Sequence, residues 1–319
     1  MAEGSRWGVK DLTKQLIQIG DRSLYYMVSA GLDAAHAILN PDFIRESQRK
    51  AGGSIHNLVT NADFRSQSLI LEKLRFPQAL FLVEEKTEES DADEQVLTLE
   101  NYTIISDREL VFCVDPLDGT AQYARDLYEY SVSIGAMEHG VHQSGVIYAP
   151  ETKGGFLVFG KRGRGVFLAR GNPRRVKATK VAEDKTIKEC VVLYGIDIPK
   201  SVLFSRLLNR LATNCQTANS MGSCALGLAL VASGYVDGFV QAPQMPWDWA
   251  AGYPLVEEAG GKVQFYEIIG GKINLLDKPE AKHYRPDAKS LGFIAGNPKL
   301  VDELTRWLTE DYGRKPDDR

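Results

Sequence analysis

Cysteine is scarce in this chain of 319 residues, which contains four cysteines and no C-x-x-C pair. A zinc ribbon and a dithiol redox site therefore have no support, and a chain of this length does not need a disulfide framework. The sequence also has no apolar run near the ~20 residues of a membrane span and no apolar signal-peptide segment at its start. We expect a cytoplasmic protein without a membrane partner.

An excess of basic residues is missing as well. Lys and Arg number 38 and Asp and Glu 42, so the formal net charge is −4. Dedicated nucleic-acid binders usually carry a basic excess, and we expect no direct nucleic-acid partner here. The P-loop, G-x-S-x-G and H-E-x-x-H patterns are also absent from the sequence. These absences leave a P-loop nucleotide site, a serine hydrolase elbow and a zinc protease helix without support.

What the chain does have is the composition of a soluble globular protein, with 44% hydrophobic and 25% charged residues. Apolar periodicity predicts helices at 61–74 and 249–259, and a short apolar run predicts a strand at 79–83. Such a mixture indicates an α/β or α+β architecture in packed layers. We predict two closely packed lobes: an α+β lobe at 1–180 that carries most of the polar candidates below, and an α/β lobe at 181–319.

Two carboxylates, Asp115 and Asp118, follow a buried apolar run in the segment Asp-Pro-Leu-Asp-Gly-Thr. Carboxylates at a strand end are placed to converge on a hard cation such as Mg²⁺, and the carbonyl of Leu117 lies between them. The backbone N–H groups of Gly119 and Thr120 would suit a phosphate if a helix starts there. The alternative for this hexapeptide is an ordinary Asp-Pro turn capped by its own side chain.

Three further acidic residues stand at the ends or starts of predicted elements, and each has an ordinary alternative. Glu84 directly follows another buried apolar run, but it opens an acidic stretch of the kind that usually forms a solvated loop. Asp248 stands where a helix should begin, which also suits an N-cap. Asp63 lies near a predicted helix start, where a carboxylate is favourable in any case. The four segments together are far more specific than any one.

The order and the amino-acid sequences of these segments resemble the motifs of the inositol monophosphatase family, within the lithium-sensitive, metal-dependent sugar-phosphatase superfamily. The resemblance rests on LVTNAD at 58–63, FLVEE at 81–85, VDPLDGT at 114–120, SMGSCALGLALVASGYVDGF at 220–239, and PWDWAAG with VEEAGG at 246–261. It covers nearly the whole chain. It implies a layered αβαβα sandwich of the sugar-phosphatase type, a homodimer and inhibition by lithium.

The resemblance also implies a role for each matching residue, together with two or three bound Mg²⁺ ions. The implied metal ligands are Glu84, Asp115, the Leu117 carbonyl, Asp118 and Asp248. The implied catalytic residues, which help to hold and activate the attacking water, are Asp63, Glu84 and Thr120. The implied substrate contacts are Gly119, Thr120, Gly222, Ser223, Cys224 and Gln241.

The implied reaction is Mg²⁺-dependent hydrolysis of a small phosphorylated metabolite, a phosphate monoester, by metal-activated water. Inositol monophosphate is the first expectation, but family members that act on it commonly carry Glu where this chain has Gln241. A Gln side chain donates and accepts hydrogen bonds without the charge that strengthens them. Fructose-1,6-bisphosphatase, histidinol-phosphatase and 3′(2′),5′-bisphosphate nucleotidase activities therefore stay open, as does a regulatory binding protein on the same scaffold.

Overall fold

The structure is a computed structural model that describes residues 16–17, 19–40, 48–49, 58–86, 93–171, 176–196 and 201–314. Its α-helices are α1 (Arg22–Ile38), α2 (Asn61–Leu74), α3 (Thr120–Tyr123), α4 (Ser201–Asn214), α5 (Cys224–Ala232), α6 (Pro246–Trp249), α7 (Gly252–Glu258) and α8 (Pro298–Asp311). Its strands are β1 (Gln48–Arg49), β2 (Leu58–Val59), β3 (Ala79–Val83), β4 (Leu110–Asp118), β5 (Ser131–Glu138), β6 (Val141–Ala149), β7 (Phe156–Lys161), β8 (Gly165–Arg170), β9 (Val176–Thr179), β10 (Val191–Gly195), β11 (Thr217–Ser220), β12 (Gly238–Gln244), β13 (Lys262–Ile269), β14 (Lys272–Leu276) and β15 (Leu291–Gly296).

A seven-stranded sheet is built from β3 to β9 in sequence order. Strands β3 and β4 are parallel and all other neighbours are antiparallel. The parallel register pairs Val83 with Val114, so that the residues that follow, Glu84 and Asp115, emerge at the same edge of the sheet.

A β-bulge interrupts β4 where it carries the two aspartates. Asp115 pairs with Ser133 of β5, but Asp118 pairs with Ser131, so three steps along β4 match two along β5. Pro116 sits in this interval, where its missing N–H cannot join the ladder. Residues three apart in a regular strand point to opposite faces, and the extra residue corrects this parity. The bulge therefore lets both aspartates serve one site.

A six-stranded sheet has the order β11-β10-β12-β15-β13-β14. Strands β11, β10 and β12 are mutually parallel, and the rest pair antiparallel. Strand β12 contains a bulge of the same count, because Gln241 pairs with Phe293 and Gln244 with Leu291 of β15. This bulge also spans a proline, Pro243.

The helices and sheets form five layers, and three hydrophobic cores lie between them. Helices α1 and α2 cover the outer face of the seven-stranded sheet, and α5 and α7 lie in the core between the two sheets. Helices α4 and α8 cover the outer face of the six-stranded sheet. The predicted αβαβα sandwich is thus confirmed. In the part of the chain that the structure describes, no helix is long and apolar enough to cross a membrane.

The predicted helix 61–74 and strand 79–83 have the bounds found in the structure. The predicted helix 249–259 is present as α7 but begins later, at Gly252, because Trp249 ends the separate helix α6. Pro254 lacks the N–H that a continuous helix would donate to the carbonyl of Ala250. One core contains residues of both sheets, and the division into 1–180 and 181–319 stays a prediction.

Candidate active site

Three carboxylates converge where β4 ends and α6 begins. Asp115, Asp118 and Asp248 each offer an oxygen, and these atoms all lie within 4.8 Å of one another. Asp115 and Asp118 are buried and Asp248 is half-buried. Glu84 lies at the adjacent end of β3, where its backbone N–H donates to the carbonyl of Val114 at 3.2 Å. Its side chain lines the same cavity as the three aspartates.

Asp118 is held by the first turn of α5, an element of the other half of the chain. Its Oδ2 accepts hydrogen bonds from Ser223 Oγ and from the Ala225 N–H, both at 2.6 Å. Its Oδ1 accepts one from the Cys224 N–H at 3.2 Å. A helix N-terminus favours a carboxylate in this position. Burial nevertheless raises the pKa of Asp118 to about 6, against the opposing effect of these hydrogen bonds.

The other two aspartates have fewer donors. Asp115 accepts one hydrogen bond from the Leu117 N–H at 3.0 Å, and Asp248 accepts one from the Met245 N–H at 2.9 Å. Burial and the charges of Glu84, Asp118 and Asp248 raise the pKa of Asp115 well above its usual range. Burial, followed by the charges of Asp118 and Glu84, raises the pKa of Asp248 to about 8.

The acidic cluster fits a metal ion on chemical grounds. Mutually repelling carboxylates out of water bind protons when no cation neutralises them, which is what the raised pKa values report. A hard divalent cation relieves the same repulsion, and carboxylate and carbonyl oxygens are the ligands that it prefers. Asp115, Asp118 and Asp248 could therefore hold a metal ion.

Asp63 lies behind the cavity wall as the third residue of α2. Its Oδ2 accepts hydrogen bonds from the N–H and Oγ1 of Thr60, at 2.7 and 2.5 Å. Its Oδ1 accepts one from Thr120 Oγ1 at 3.0 Å. Burial, opposed by these bonds, raises the pKa of Asp63 to about 6. Thr120 Oγ1 is also 3.0 Å from the Leu117 carbonyl, so its one hydrogen is shared between two acceptors.

The cavity has a volume of about 530 Å³. The carboxylates Glu84, Asp115, Asp118 and Asp248 form one part of its lining. The polar remainder comprises two hydroxyl residues, three carboxamides and two cations and contains no further carboxylate, its members being Thr120, Ser220, Gln122, Gln241, Gln244, Arg125 and Lys289. The cavity thus combines an acidic side, formed by the four carboxylates, with neutral side chains, and the charge of Lys289 acts on the acidic side by opposing the rise in the pKa of Asp248.

Two glycines make room for carboxamides in this lining. A Cβ on Gly195 would stand 1.8 Å from Gln241 Oε1, and a Cβ on Gly222 would stand 1.8 Å from Gln122 Nε2. Gly195 and Gln241 are register partners in neighbouring strands. The amide of Gln241 therefore lies directly against the backbone of β10, which fixes its place in the wall.

A sequence model of the inositol monophosphatase family matches residues 22–307. The chain belongs to this family. A Nus factor SuhB of Pasteurella multocida is 33% identical over 256 residues, with 79% of this chain and 82% of the relative covered. A fructose-1,6-bisphosphatase/inositol-1-monophosphatase of Thermotoga maritima is 28% identical, with 82% and 86% covered. The structure of an inositol monophosphatase from Anabaena matches with a TM-score of 0.68, 28% identity, and 91% and 96% covered.

Inositol monophosphatase family members are metal-dependent phosphatases, and this chain is therefore a metal-dependent phosphoric monoester hydrolase with a small phosphorylated substrate. Its acidic cluster agrees with that chemistry.

The structure brings most of the residues expected from the family resemblance to one cavity. Those that line it are Glu84, Asp115, Leu117, Asp118, Gly119, Thr120, Gly222, Cys224, Gln241 and Asp248. Asp63 and Ser223 are not in the lining. Asp63 reaches the cavity through Thr120, and Ser223 reaches it through Asp118. The structure thus places Ser223 behind a carboxylate rather than against the cavity.

Sequence reasoning missed five polar residues of the lining, which are Gln122, Arg125, Ser220, Gln244 and Lys289. The first two follow the Asp-Gly-Thr motif closely, and Gln244 lies three residues after Gln241, so inspection of those segments could have found them. Lys289 lies in the connection between β14 and β15, and no local pattern marks it.

Proposed function

We propose that this phosphatase hydrolyses inositol monophosphate and that its metal is Mg²⁺, bound as two or three ions. The observation that carries the proposal is the convergence of Asp115, Asp118 and Asp248 within 4.8 Å in a cavity. We assign Glu84 and the Leu117 carbonyl to the same ligand set, because both line that cavity. Bound Mg²⁺ lowers the pKa of water and offsets the negative charge that develops on the phosphoryl and leaving oxygens.

The residues around Thr120 would orient the attacking water. Because the Thr120 hydroxyl directs its hydrogen to Asp63 and to the Leu117 carbonyl, a lone pair of Oγ1 is left to accept a hydrogen from water in the cavity. Asp63 holds the hydroxyl in that orientation. Glu84, on the cavity wall, accepts a proton from the same water.

The turn after β4 would bind the phosphate. Gly119 and Thr120 line the cavity beside Asp118. Gly119 has a φ of +95°, and a Cβ there would come within 2.8 Å of the Glu129 carbonyl. Glycine therefore lets the turn pack against Glu129, and in this turn the N–H groups of Gly119 and Thr120 would be the donors to phosphoryl oxygens.

The carboxamide side of the cavity would contact the cyclitol. Gln241 and Gln244 each donate and accept hydrogen bonds, as hydroxyl groups require. Cys224 and Gly222 line the same cavity, and Ser223 acts through its hydrogen bond to Asp118. These contacts recognise a polyol without demanding a charge on it.

A bisphosphate substrate, such as fructose 1,6-bisphosphate, is a second candidate because the lining also contains Arg125 and Lys289. Within the described part of the chain no carboxylate forms an ion pair with Arg125. A guanidinium at the cavity wall suits a second phosphate. Histidinol phosphate and a 3′(2′),5′-bisphosphate nucleotide carry similar groups and belong in the same test.

Phosphate release from these four compounds, with and without Mg²⁺, tests the function. We expect a Mg²⁺-dependent rate that is highest for inositol 1-phosphate. A rate that is highest for a bisphosphate and that falls selectively with Arg125→Ala would support the second candidate. Absence of release from every compound would count against the catalytic proposal and favour a regulatory binding protein, in keeping with the relatives named Nus factor.

Three further properties belong to the same proposal. We propose a homodimer, which light scattering on the purified protein would test. We propose inhibition by lithium, because a monovalent ion in a Mg²⁺ position delivers less charge. We also propose a cytoplasmic location without a direct nucleic-acid partner, in keeping with the net charge of −4. A mobility shift with RNA at physiological salt would contradict the last point.

A further inference from the structure

The carbonyl of Ala250 lies two residues after Asp248 and cannot accept the usual helical hydrogen bond. Position 254, four residues later, is a proline, which has no N–H to donate. A buried carbonyl without a partner is costly. The structure supplies one from another layer, because His142 of β6 lies with its Nδ1 3.2 Å from the Ala250 oxygen.

The direction of this bond settles the state of the imidazole. A carbonyl only accepts, so Nδ1 carries the hydrogen, and in a neutral ring Nε2 must then be an acceptor. Nε2 lies 2.8 Å from the hydroxyl of Tyr284, which donates to it. Burial lowers the pKa of His142 to about 3, so the ring is neutral at ordinary pH. The Ala250 carbonyl thus selects the tautomer, and the Tyr284 hydroxyl, which can donate or accept, adapts to it.

The same stretch of backbone rests on two glycines of the seven-stranded sheet. A Cβ on Gly135 would lie 2.7 Å from the carbonyl carbon of Ala250, and one on Gly145 would lie 2.0 Å from the carbonyl oxygen of Ala251. These glycines are register partners in β5 and β6. In addition, Ser133 Oγ donates to the Trp247 carbonyl at 3.3 Å. Both sides of Asp248 are therefore attached to the sheet that carries Asp115 and Asp118.

We propose that His142, whose Nδ1–H donates to the Ala250 carbonyl, is a positioning residue that fixes Asp248 relative to the other two aspartates. It acts through the Ala250 carbonyl and touches neither substrate nor metal. The inference rests on the proposed metal site and adds a residue that the family resemblance did not supply. Partners behind metal ligands typically change metal affinity by 10–100-fold when they are removed.

Two substitutions test the two hydrogen bonds of the His142 imidazole one at a time. His142→Asn keeps a donor near the place of Nδ1 and loses the acceptor for Tyr284, whereas His142→Gln keeps an acceptor near Nε2 and loses the donor for Ala250. Mg²⁺ binding to the full chain, freed of metal, is measured by calorimetry. We expect His142→Gln to raise the Mg²⁺ dissociation constant about tenfold and His142→Asn to leave it within about twofold. Saturating Mg²⁺ should restore the kcat of His142→Gln.

Thr179→Val is a matched control, because Thr179 Oγ1 donates to the Ser233 carbonyl after α5, another helix end. It should leave Mg²⁺ affinity unchanged. Equal affinities for wild type and both His142 variants, with only the melting temperatures lowered, would overturn the inference. If His142→Gln does not fold, His142→Phe, which keeps a ring but has no donor for Ala250, decides: a weaker Mg²⁺ affinity supports the inference and an unchanged one overturns it. No Mg²⁺ binding by wild type would instead overturn the proposed function, and this inference with it.

Discussion

The ends of β4 and β12 use one backbone device for two different chemistries. Each strand gains one residue relative to its antiparallel neighbour, each does so across a proline, and each brings two polar side chains three residues apart into one cavity. On β4 the pair is Asp115 and Asp118, and on β12 it is Gln241 and Gln244. The pairs differ in charge, in the N–H groups that only the amides can donate, and in the extra methylene of glutamine.

Because of this difference, the two pairs have separate roles in the cavity. The β4 pair raises its own pKa values by burial and mutual repulsion, so it is incomplete without a cation. The β12 pair is neutral and keeps the same charge at any pH. A bulged strand end is thus a general way to place two side chains on one face, and the residue type alone decides between metal and polyol.

The largest effect should follow from neutralising one member of the β4 pair. We expect Asp115→Asn to lower kcat/KM by about a thousandfold, because a lost ligand removes several kcal/mol of charge stabilisation. In EDTA the same variant should melt at a higher temperature than wild type, since a buried repelling charge is gone. Phosphate release and calorimetry measure the two quantities. Asp33→Asn, at a surface ion pair with Lys73, is the matched control and should change neither.

The next effect is a pH dependence confined to the acidic side. The pKa of Asp248 is about 8, so at lower pH Mg²⁺ must displace a proton, and its affinity should rise about tenfold per pH unit up to about pH 8. Without metal, the folded chain binds more protons than the unfolded chain between about pH 4 and 8, so its stability should fall as pH rises through that window. Melting temperatures in EDTA check the sign. Stability that rises over that window in EDTA would contradict it.

A smaller effect should come from disturbing the β12 pair without touching charge. Gly195→Ala places a methyl group where Gln241 Oε1 now lies, so the amide must leave the wall. We expect KM for the preferred substrate to rise about tenfold, which is the loss of roughly one good hydrogen bond, with Mg²⁺ affinity unchanged. Steady-state kinetics measure KM, and calorimetry measures the Mg²⁺ affinity. A change in Mg²⁺ affinity would mean that the two sides are not independent.

The smallest effect should come from making β12 resemble β4. Gln241→Glu restores the carboxylate that is common in relatives acting on inositol phosphate, and a charged acceptor binds hydroxyls more strongly. We expect KM for inositol 1-phosphate to fall about fivefold and KM for fructose 1,6-bisphosphate to rise. Gln244→Glu, one step further along the same strand end, is the comparison variant. Equal responses of both substrates would argue against contact between Gln241 and the cyclitol.

The sequence allowed prediction of what depends on neighbouring residues. Apolar runs placed Glu84 and Asp115 at strand ends, and the Asp-Gly-Thr motif marked the turn that follows. It did not reveal the bulges, because their count depends on the partner strand, which lies elsewhere in the chain. It also did not reveal the support of Asp118 by Ser223, over a hundred residues away, or the approach of Lys289. Such pairings are fixed by tertiary packing, and a local pattern carries no information about them.

The support of the aspartates crosses the midpoint of the chain in both directions. Asp118 belongs to the seven-stranded half and is capped by α5 of the other half, whereas Asp248 belongs to the six-stranded half and rests on β5 and β6. Neither half alone can hold a complete ligand set in place. Recombination near residue 180 would combine halves from two different proteins. The first turn of α5 would then come from one parent and Asp118 from the other, and the same holds for the backbone after Asp248 and the glycines of β5 and β6 on which it packs. The two halves are therefore expected to be inherited as one unit. A chimaera of two distant relatives should still form the layered fold, but it should bind metal poorly.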